Sequence, residues 1–382
     1  MAFLSLGFRP FFLFAVLLAP LSVAVQIQFV VSGATGEGYP SAYLHSHEMI
    51  FGYSSAVIAG FLLTAIPNWT GRPPIQGLPL AALAAVWLAG RLALIYMPFG
   101  NGLIEAAVEA AFVPLLLCVA LREIVVSGNR RNLIVMAPLM LLAAGNVLFH
   151  YEALLGDGPA VSLRLGLAAP VMLIGLIGGR IIPSFTRNWL NGRPPGRMPA
   201  QAGRWDMAAV ALLWAGLFAW SIWPWAMPTA ALLVGAAMLN ILRLARWAGE
   251  RTCVNPLLFV LHLAYGFLPI GLLLLAAATW TDDFRFYIGG LHALGVGTLG
   301  GMTLAVMTRV SLGHTGRALR ASPVMIFAFA ALFTATLLRV AAALAPDAPI
   351  ALYASAGFWG AAFLLCLVAI GPALLMPRRK AP

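Results

Sequence analysis

His47 and His292 stand near the heads of two related tracts, HSHEMIFGYSSAVIAGFLLTAIPNWTGR from His45 to Arg72 and HALGVGTLGGMTLAVMTRVSLGHTGR from His292 to Arg317. Each histidine lies 25 positions before the arginine of a Gly-Arg pair. Imidazole binds haem iron axially and also binds copper. Two imidazoles at matching depth on facing membrane helices can sandwich a flat porphyrin. His47 and His292 are therefore the expected axial pair of a haem. A lone histidine bonded to a backbone carbonyl is the plainer alternative for either residue, but polar side chains inside apolar helices are costly to keep.

Other residues offer further ligands. His45 and His47 are two apart, so on a helix they point to different faces, and His45 is assigned to a second site or to the loop. Glu48 reads as a metal ligand, a proton carrier or an orienter of a histidine, with a first-turn acid near a helix N-terminus as its bland reading. His262 stands about eight residues into its span, roughly 12 Å deep. It is expected to ligate copper or a second haem, or to bond a carbonyl. His45, Glu48 and His262 thus form the candidate metal set. His150, beside Glu152, and His314, in a turn, read as interfacial.

Arginines inside apolar spans have two readings. Arg91 has Glu105 and Glu109 on the next span, and an ion pair is its expected role. Arg180, Arg309 and Arg339 have no acidic partner in adjacent sequence. They are expected to grip haem propionates with paired hydrogen bonds.

The elements that must position these residues are apolar helices. The chain is 62% hydrophobic and 9% charged, against about 25% charged in soluble domains, which excludes a soluble globule. Twelve apolar runs fit bilayer-spanning helices: 8–31, 43–66, 78–97, 101–124, 132–154, 161–182, 205–222, 225–247, 254–279, 284–310, 320–344 and 349–376. The expected fold is all-α and polytopic, in contact with the lipid bilayer. The net charge of +11 reads as topology rather than nucleic-acid binding. Most of the 23 basic residues fall on one side of this map, among them Arg9, Arg72, Arg193, Arg243, Arg317, Arg379 and Lys380. Glu37, Asp157, Asp282, Asp283 and Asp347 fall on the other. By the positive-inside rule both termini are expected in the cytoplasm. The first span has no clear cleavage site and is expected to be retained. Cys118, Cys253 and Cys366 form neither a CxxCH nor a CxxC pattern, which argues against covalent haem and a zinc ribbon.

Twelve spans divide into three sets of four within one transmembrane domain, 1–382, with repeats near 1–125, 126–248 and 249–376. Gly71-Arg72, Gly192-Arg193 and Gly316-Arg317 recur at intervals of 121 and 124. Arg91, Leu217 and Arg339 each lie seven residues before a proline (Pro98, Pro224, Pro346). Parallel repeats of this size imply one duplicated four-helix unit. The middle unit has Ala168 and Leu217 where the others have histidine and arginine.

GFRPFFLFA at 7–15, HSHEMIFGYSSAVIAGFLLTAIPNWTGRPP at 45–74, HLAYGFLPIG at 262–271 and the tract 292–317 resemble the NnrS family across the whole chain. The resemblance implies a bacterial inner-membrane protein that binds haem b and copper and helps cells withstand nitric oxide. Its partners would be nitric oxide or a similar gas and a quinol or another respiratory electron donor. The layout also resembles the catalytic subunit of the haem-copper oxidases, whose helices 2 and 10 supply haem ligands. The HxxxY pattern of those enzymes is absent, since Gly266 stands four after His262. A secondary transporter and a sensor or assembly factor for a respiratory complex are the competing readings.

Overall fold

The computed structural model describes residues 2–33, 41–96, 102–155, 158–345 and 349–378. Glu37, Asp157, Asp347, Arg379 and Lys380 of the charge map, and Pro98 and Pro346 of the repeat, lie outside them. Among the described residues there is no strand.

Among the described residues twelve helical passages follow one another: α1 (Phe8–Ser32), α2 (Tyr43–Thr70), α3 (Leu78–Tyr96), α4 (Leu103–Val126), α5 (Arg130–Leu154), α6 (Val161–Leu190), α7 (Arg204–Ile222), α8 (Met227–Ala245), α9 (Pro256–Thr281), α10 (Phe284–His314), α11 (Pro323–Leu344) and α12 (Pro349–Leu375). Eleven are long and apolar enough to cross a membrane, and α3 carries a shorter apolar stretch, Leu78–Leu94. The chain is a multi-pass helical membrane protein. The order matches the expected spans, but α2, α6 and α10 run on past their expected ends. Hydropathy marks where a helix leaves the lipid, not where its backbone hydrogen bonds stop. The last turns of α6 carry Ser184, Thr186, Arg187 and Asn188.

The same three helices each contain a π segment: Glu48–Ser54 in α2, Ile174–Gly178 in α6 and Ala293–Gly300 in α10. Such segments are rare and often lie at functional sites. Glu48 is 23 positions before Gly71, and Ala293 is 23 before Gly316. The Gly-Arg pairs have a structural cause at two places. Gly71 and Gly316 take φ of 69° and 68°, the left-handed conformation that ends a helix.

The chain falls into two compact units. The first is Met1–Pro170 with Val310–Ala318 and Cys366–Pro382; the second is Val171–Arg309 with Leu319–Leu365. In the first, Phe8, Phe11 and Phe12 of α1 are fully buried, and Phe11 meets Phe112 of α4 at 5.5 Å between ring centres. Arg9, 1% exposed, donates from Nη1 to the carbonyls of Leu374 (3.2 Å) and Met376 (2.6 Å). It satisfies carbonyls that the end of α12 leaves unpaired.

In the second unit a polar web ties α6 through α9. The Arg243 guanidinium donates to Asp206 at 3.0 Å, to the Tyr265 hydroxyl at 3.1 Å and to the Gly175 carbonyl at 2.7 Å. Tyr265 in turn donates to Asn240 Oδ1 at 2.6 Å. Arg243, counted with the basic face in sequence, is therefore buried. Its partner carbonyl belongs to the π segment of α6, where the wider turn changes the helical bonding pattern. Outside the spans, Asp283 caps α10 and accepts from the Arg285 amide at 2.8 Å. The Arg285 side chain holds that carboxyl below the usual carboxylate range.

Candidate metal centre

Four helices of the first unit bring polar side chains to one buried point. His47 sits on α2 where ordinary helix passes into the π segment. Glu109 lies on α4, next to the turn at Ala111 that divides that helix. Asn146 and His150 lie one turn apart on α5 and share a face. Arg91 comes from α3. His47 and Glu109 are each 1% exposed, Asn146 1%, His150 5% and Arg91 8%.

The geometry converges on one carboxylate oxygen. Glu109 Oε2 is 3.3 Å from His47 Nε2 and 2.8 Å from His150 Nε2. One ligand atom from each of His47, Glu109 and His150 lies within 4.8 Å of the others. The remaining nitrogen of His47, Nδ1, is 3.2 Å from Glu48 Oε1. Arg91 donates to Glu48 Oε1 at 2.8 Å and to Glu109 Oε1 through its other terminal nitrogen. Phe149 and Phe51 cover the His47 ring, at 4.5 and 5.2 Å between centres. Trp87 lies 5.6 Å from the Arg91 guanidinium carbon and donates its indole N–H to the Gly52 carbonyl at 3.1 Å.

This arrangement fits a metal on three counts. Two imidazoles and one carboxylate are a donor set that copper, iron and zinc all accept. A ligating histidine normally gives its second ring nitrogen to a carboxylate or carbonyl, which fixes the tautomer, and Glu48 stands where that partner is needed. Charge is the third count. With neutral imidazoles, two carboxylates against one guanidinium leave a net negative charge in a buried site, which a bound cation or a proton on an imidazole balances. Asn146 Oδ1 approaches His47 Nε2 at 3.3 Å, while its Nδ2 is buried without a partner.

Gly52 is fitted to this cluster. A Cβ there would meet the Arg91 guanidinium and, at 2.9 Å, Leu18. Gly52→Ala is expected to push Arg91 off the two carboxylates and weaken metal binding by about 10–100-fold, the usual cost of losing an orienting residue. Titration of the apoprotein with metal measures this.

The sequence-expected residues are placed unequally. His47 and Glu48 enter the cluster. The ion pair expected for Arg91 is present, with Glu109 and also Glu48. His150, read as interfacial, is buried and faces Glu109. His45, half-buried, lies on the same short helical stretch as His47. His292 lies on α10, in the second unit, and its Nδ1 is 2.8 Å from the Ile288 carbonyl. His262, also in the second unit, has Nε2 2.9 Å from the Thr186 hydroxyl. His314 stands 6.0 Å from Phe8, ring to ring. Arg309 covers the Phe185 ring at 4.1 Å, and Arg339 is half-buried on α11. Arg180, read as buried, is exposed on α6: its place inside an apolar run does not say which face of the helix it takes.

Fold and cluster together define a class: a polytopic helical membrane protein with a buried histidine–carboxylate group able to hold a metal. The chain belongs to the NnrS protein family, whose model matches residues 2–378. A comparison with curated proteins gave no match.

Proposed function

We propose that this is a bacterial inner-membrane metalloprotein of nitric oxide tolerance, with copper held by His47, Glu109 and His150. The convergence of two imidazole nitrogens on Glu109 Oε2, with Arg91 and Glu48 behind them, carries this reading. When bound, the copper supplies a redox-active centre that takes small diatomic ligands. The protein's own residues do the rest. Glu48 holds the Nδ1 proton of His47 and so turns Nε2 toward the metal position. Arg91 fixes both carboxylates. Phe51 and Phe149 exclude water around His47, and a dry site favours an uncharged gas over ions.

On this reading His47 serves the metal rather than a haem axial position. His292 remains the proposed ligand of haem b. Donation of its Nδ1 proton to the Ile288 carbonyl leaves Nε2 with the lone pair that axial ligation needs. Arg309 and Arg339, on α10 and α11 of the same unit, are proposed propionate partners. The basic bias of the loops supports cytoplasmic termini.

Metal and haem analysis of detergent-purified protein tests the reading. Stoichiometric copper is expected, with a Cu(II) electron paramagnetic resonance signal split by imidazole nitrogens and altered in His47→Ala and His150→Ala. Glu48→Gln is expected to weaken copper binding by about 10–100-fold. His292→Ala is expected to remove or shift a b-type absorption spectrum and leave copper in place. Nitric oxide should change one of these two spectra. Copper-free, haem-free protein from metal-replete cells overturns the proposal, and solute transport by such protein in liposomes would favour a transporter.

A further inference from the structure

The second unit contains a cleft of about 380 Å³ whose walls grade from charged to apolar. Arg197 and Glu250 form one end, His262 lies between, and Phe259, Leu263, Phe267 and Ile270 of α9 continue it. Phe259, Leu263 and Ile270 are 38%, 38% and 46% exposed. On a membrane-spanning helix such residues meet lipid, so the cleft opens to the bilayer. Its volume is within the range of small-molecule sites.

One atom in this cleft wants a ligand. His262 is 6% exposed, and its Nδ1 is buried with no hydrogen-bond partner. A buried polar atom left unpaired is unfavourable. Gly249, also in the cleft wall, packs over the face of that ring: a Cβ on it would lie 2.7 Å from Nδ1, 3.0 Å from Cγ and 3.3 Å from Cε1. A side chain there would press on the ring and shift Nδ1.

The cation that lines the charged end, Arg197, is already paired with a carboxylate. Arg197 Nη2 is 2.7 Å from Glu250 Oε2 and 2.9 Å from the Ala245 carbonyl. Neighbouring Arg251 gives its guanidinium to the carbonyls of Arg197 and Pro194. A phosphate headgroup would find a cation matched by a carboxylate, so a neutral polar head suits the site better. The Thr186 hydroxyl, 2.9 Å from His262 Nε2, can rotate. When it donates, Nδ1 carries the proton and is a donor; when it accepts, Nδ1 is an acceptor. The pair can therefore bond a carbonyl oxygen or a hydroxyl at the same place.

We propose that this cleft binds a membrane quinone and its quinol, with one ring oxygen on His262 Nδ1 and the isoprenoid tail along Phe259, Leu263 and Ile270. The proposal is independent of the copper and haem reading, because binding needs neither group. Full-length protein in nanodiscs is to be photolabelled with an azido-benzoquinone and titrated with decylubiquinone. Label is expected within 244–270, competed by decylubiquinone and not by phosphatidylglycerol. Gly249→Ala and Leu263→Trp should weaken decylubiquinone binding about tenfold or more, the affinity equivalent of about one lost hydrogen bond. Phe327→Trp, on the exposed face of α11, should leave it unchanged, with melting temperatures reporting that all variants fold. His262→Gln, which keeps a polar end, should retain more affinity than His262→Leu. Label outside that segment, equal affinity in all variants, or displacement by phosphatidylglycerol overturns the proposal, the last outcome making the cleft a phospholipid site.

Discussion

Glu109→Gln is expected to abolish copper binding at the proposed centre without unfolding the protein. Glu109 Oε2 is the shared partner of the His47 and His150 Nε2 atoms, and Oε1 is bound by Arg91. Glutamine keeps the shape but offers a single acceptor oxygen. If that oxygen stays on Arg91, an amide N–H₂ faces the two imidazoles and the anionic ligand is gone. Copper affinity is expected to fall by more than the roughly 10–100-fold that an orienting residue is worth. Stability behaves differently. The wild-type cluster has Glu48 and Glu109 against Arg91, and so takes up a further positive charge, from a metal or from a proton on an imidazole. In Glu109→Gln, Glu48 and Arg91 balance, 2.8 Å apart, and the site is neutral with no metal at all. Thermal unfolding of the variant should therefore be indifferent to copper, whereas that of the wild type should rise with it, as any ligand bound only by the folded state requires. Retention of wild-type copper content by Glu109→Gln would remove Glu109 from the ligand set.

How far the sequence reveals this centre follows from what a linear pattern can carry. The helices are legible because the bilayer imposes a length and an apolarity on each one separately. His47, Glu48 and the Arg91–Glu109 pair are legible for a similar reason: each is a polar group that an apolar helix would not keep without a partner. Their assembly is not. Nothing in the order of residues says that α5 packs its Asn146–His150 face toward α2, so His150 reads as interfacial from its position near a span end. The signal was present in weaker form, since Asn146 and His150 are one turn apart and Glu105 and Glu109 are one turn apart on the preceding helix. The π segments are hidden for another reason. An extra residue in one turn leaves hydropathy unchanged but rotates everything beyond it by about 100°. That rotation changes which faces of α2, α6 and α10 look inward beyond the π segment.

Arg91 is the converse case to Glu109. Arg91→Met keeps much of the side-chain volume beside Trp87 but removes the one guanidinium that faces Glu48 and Glu109. Two buried carboxylates then have no fixed counter-charge. Breaking a buried pair by deleting one partner costs about 3–5 kcal/mol, a large part of the roughly 5–15 kcal/mol by which most domains are stable. The metal-free variant is expected to melt far below the wild type. On the proposed reading copper would supply the missing positive charge between the same carboxylate and imidazoles, so the variant's melting temperature should depend on copper more steeply than the wild type's. Adding Glu48→Gln to Arg91→Met returns the cluster to its wild-type net charge and should recover part of the loss, a non-additivity expected only of residues in one network. Melting curves of the four proteins, with copper and with a chelator, make the comparison. Additive losses and equal copper dependence in all four would show that Arg91 acts through packing on Trp87 alone, and that the charge balance at Glu48 and Glu109 does not govern what this site holds.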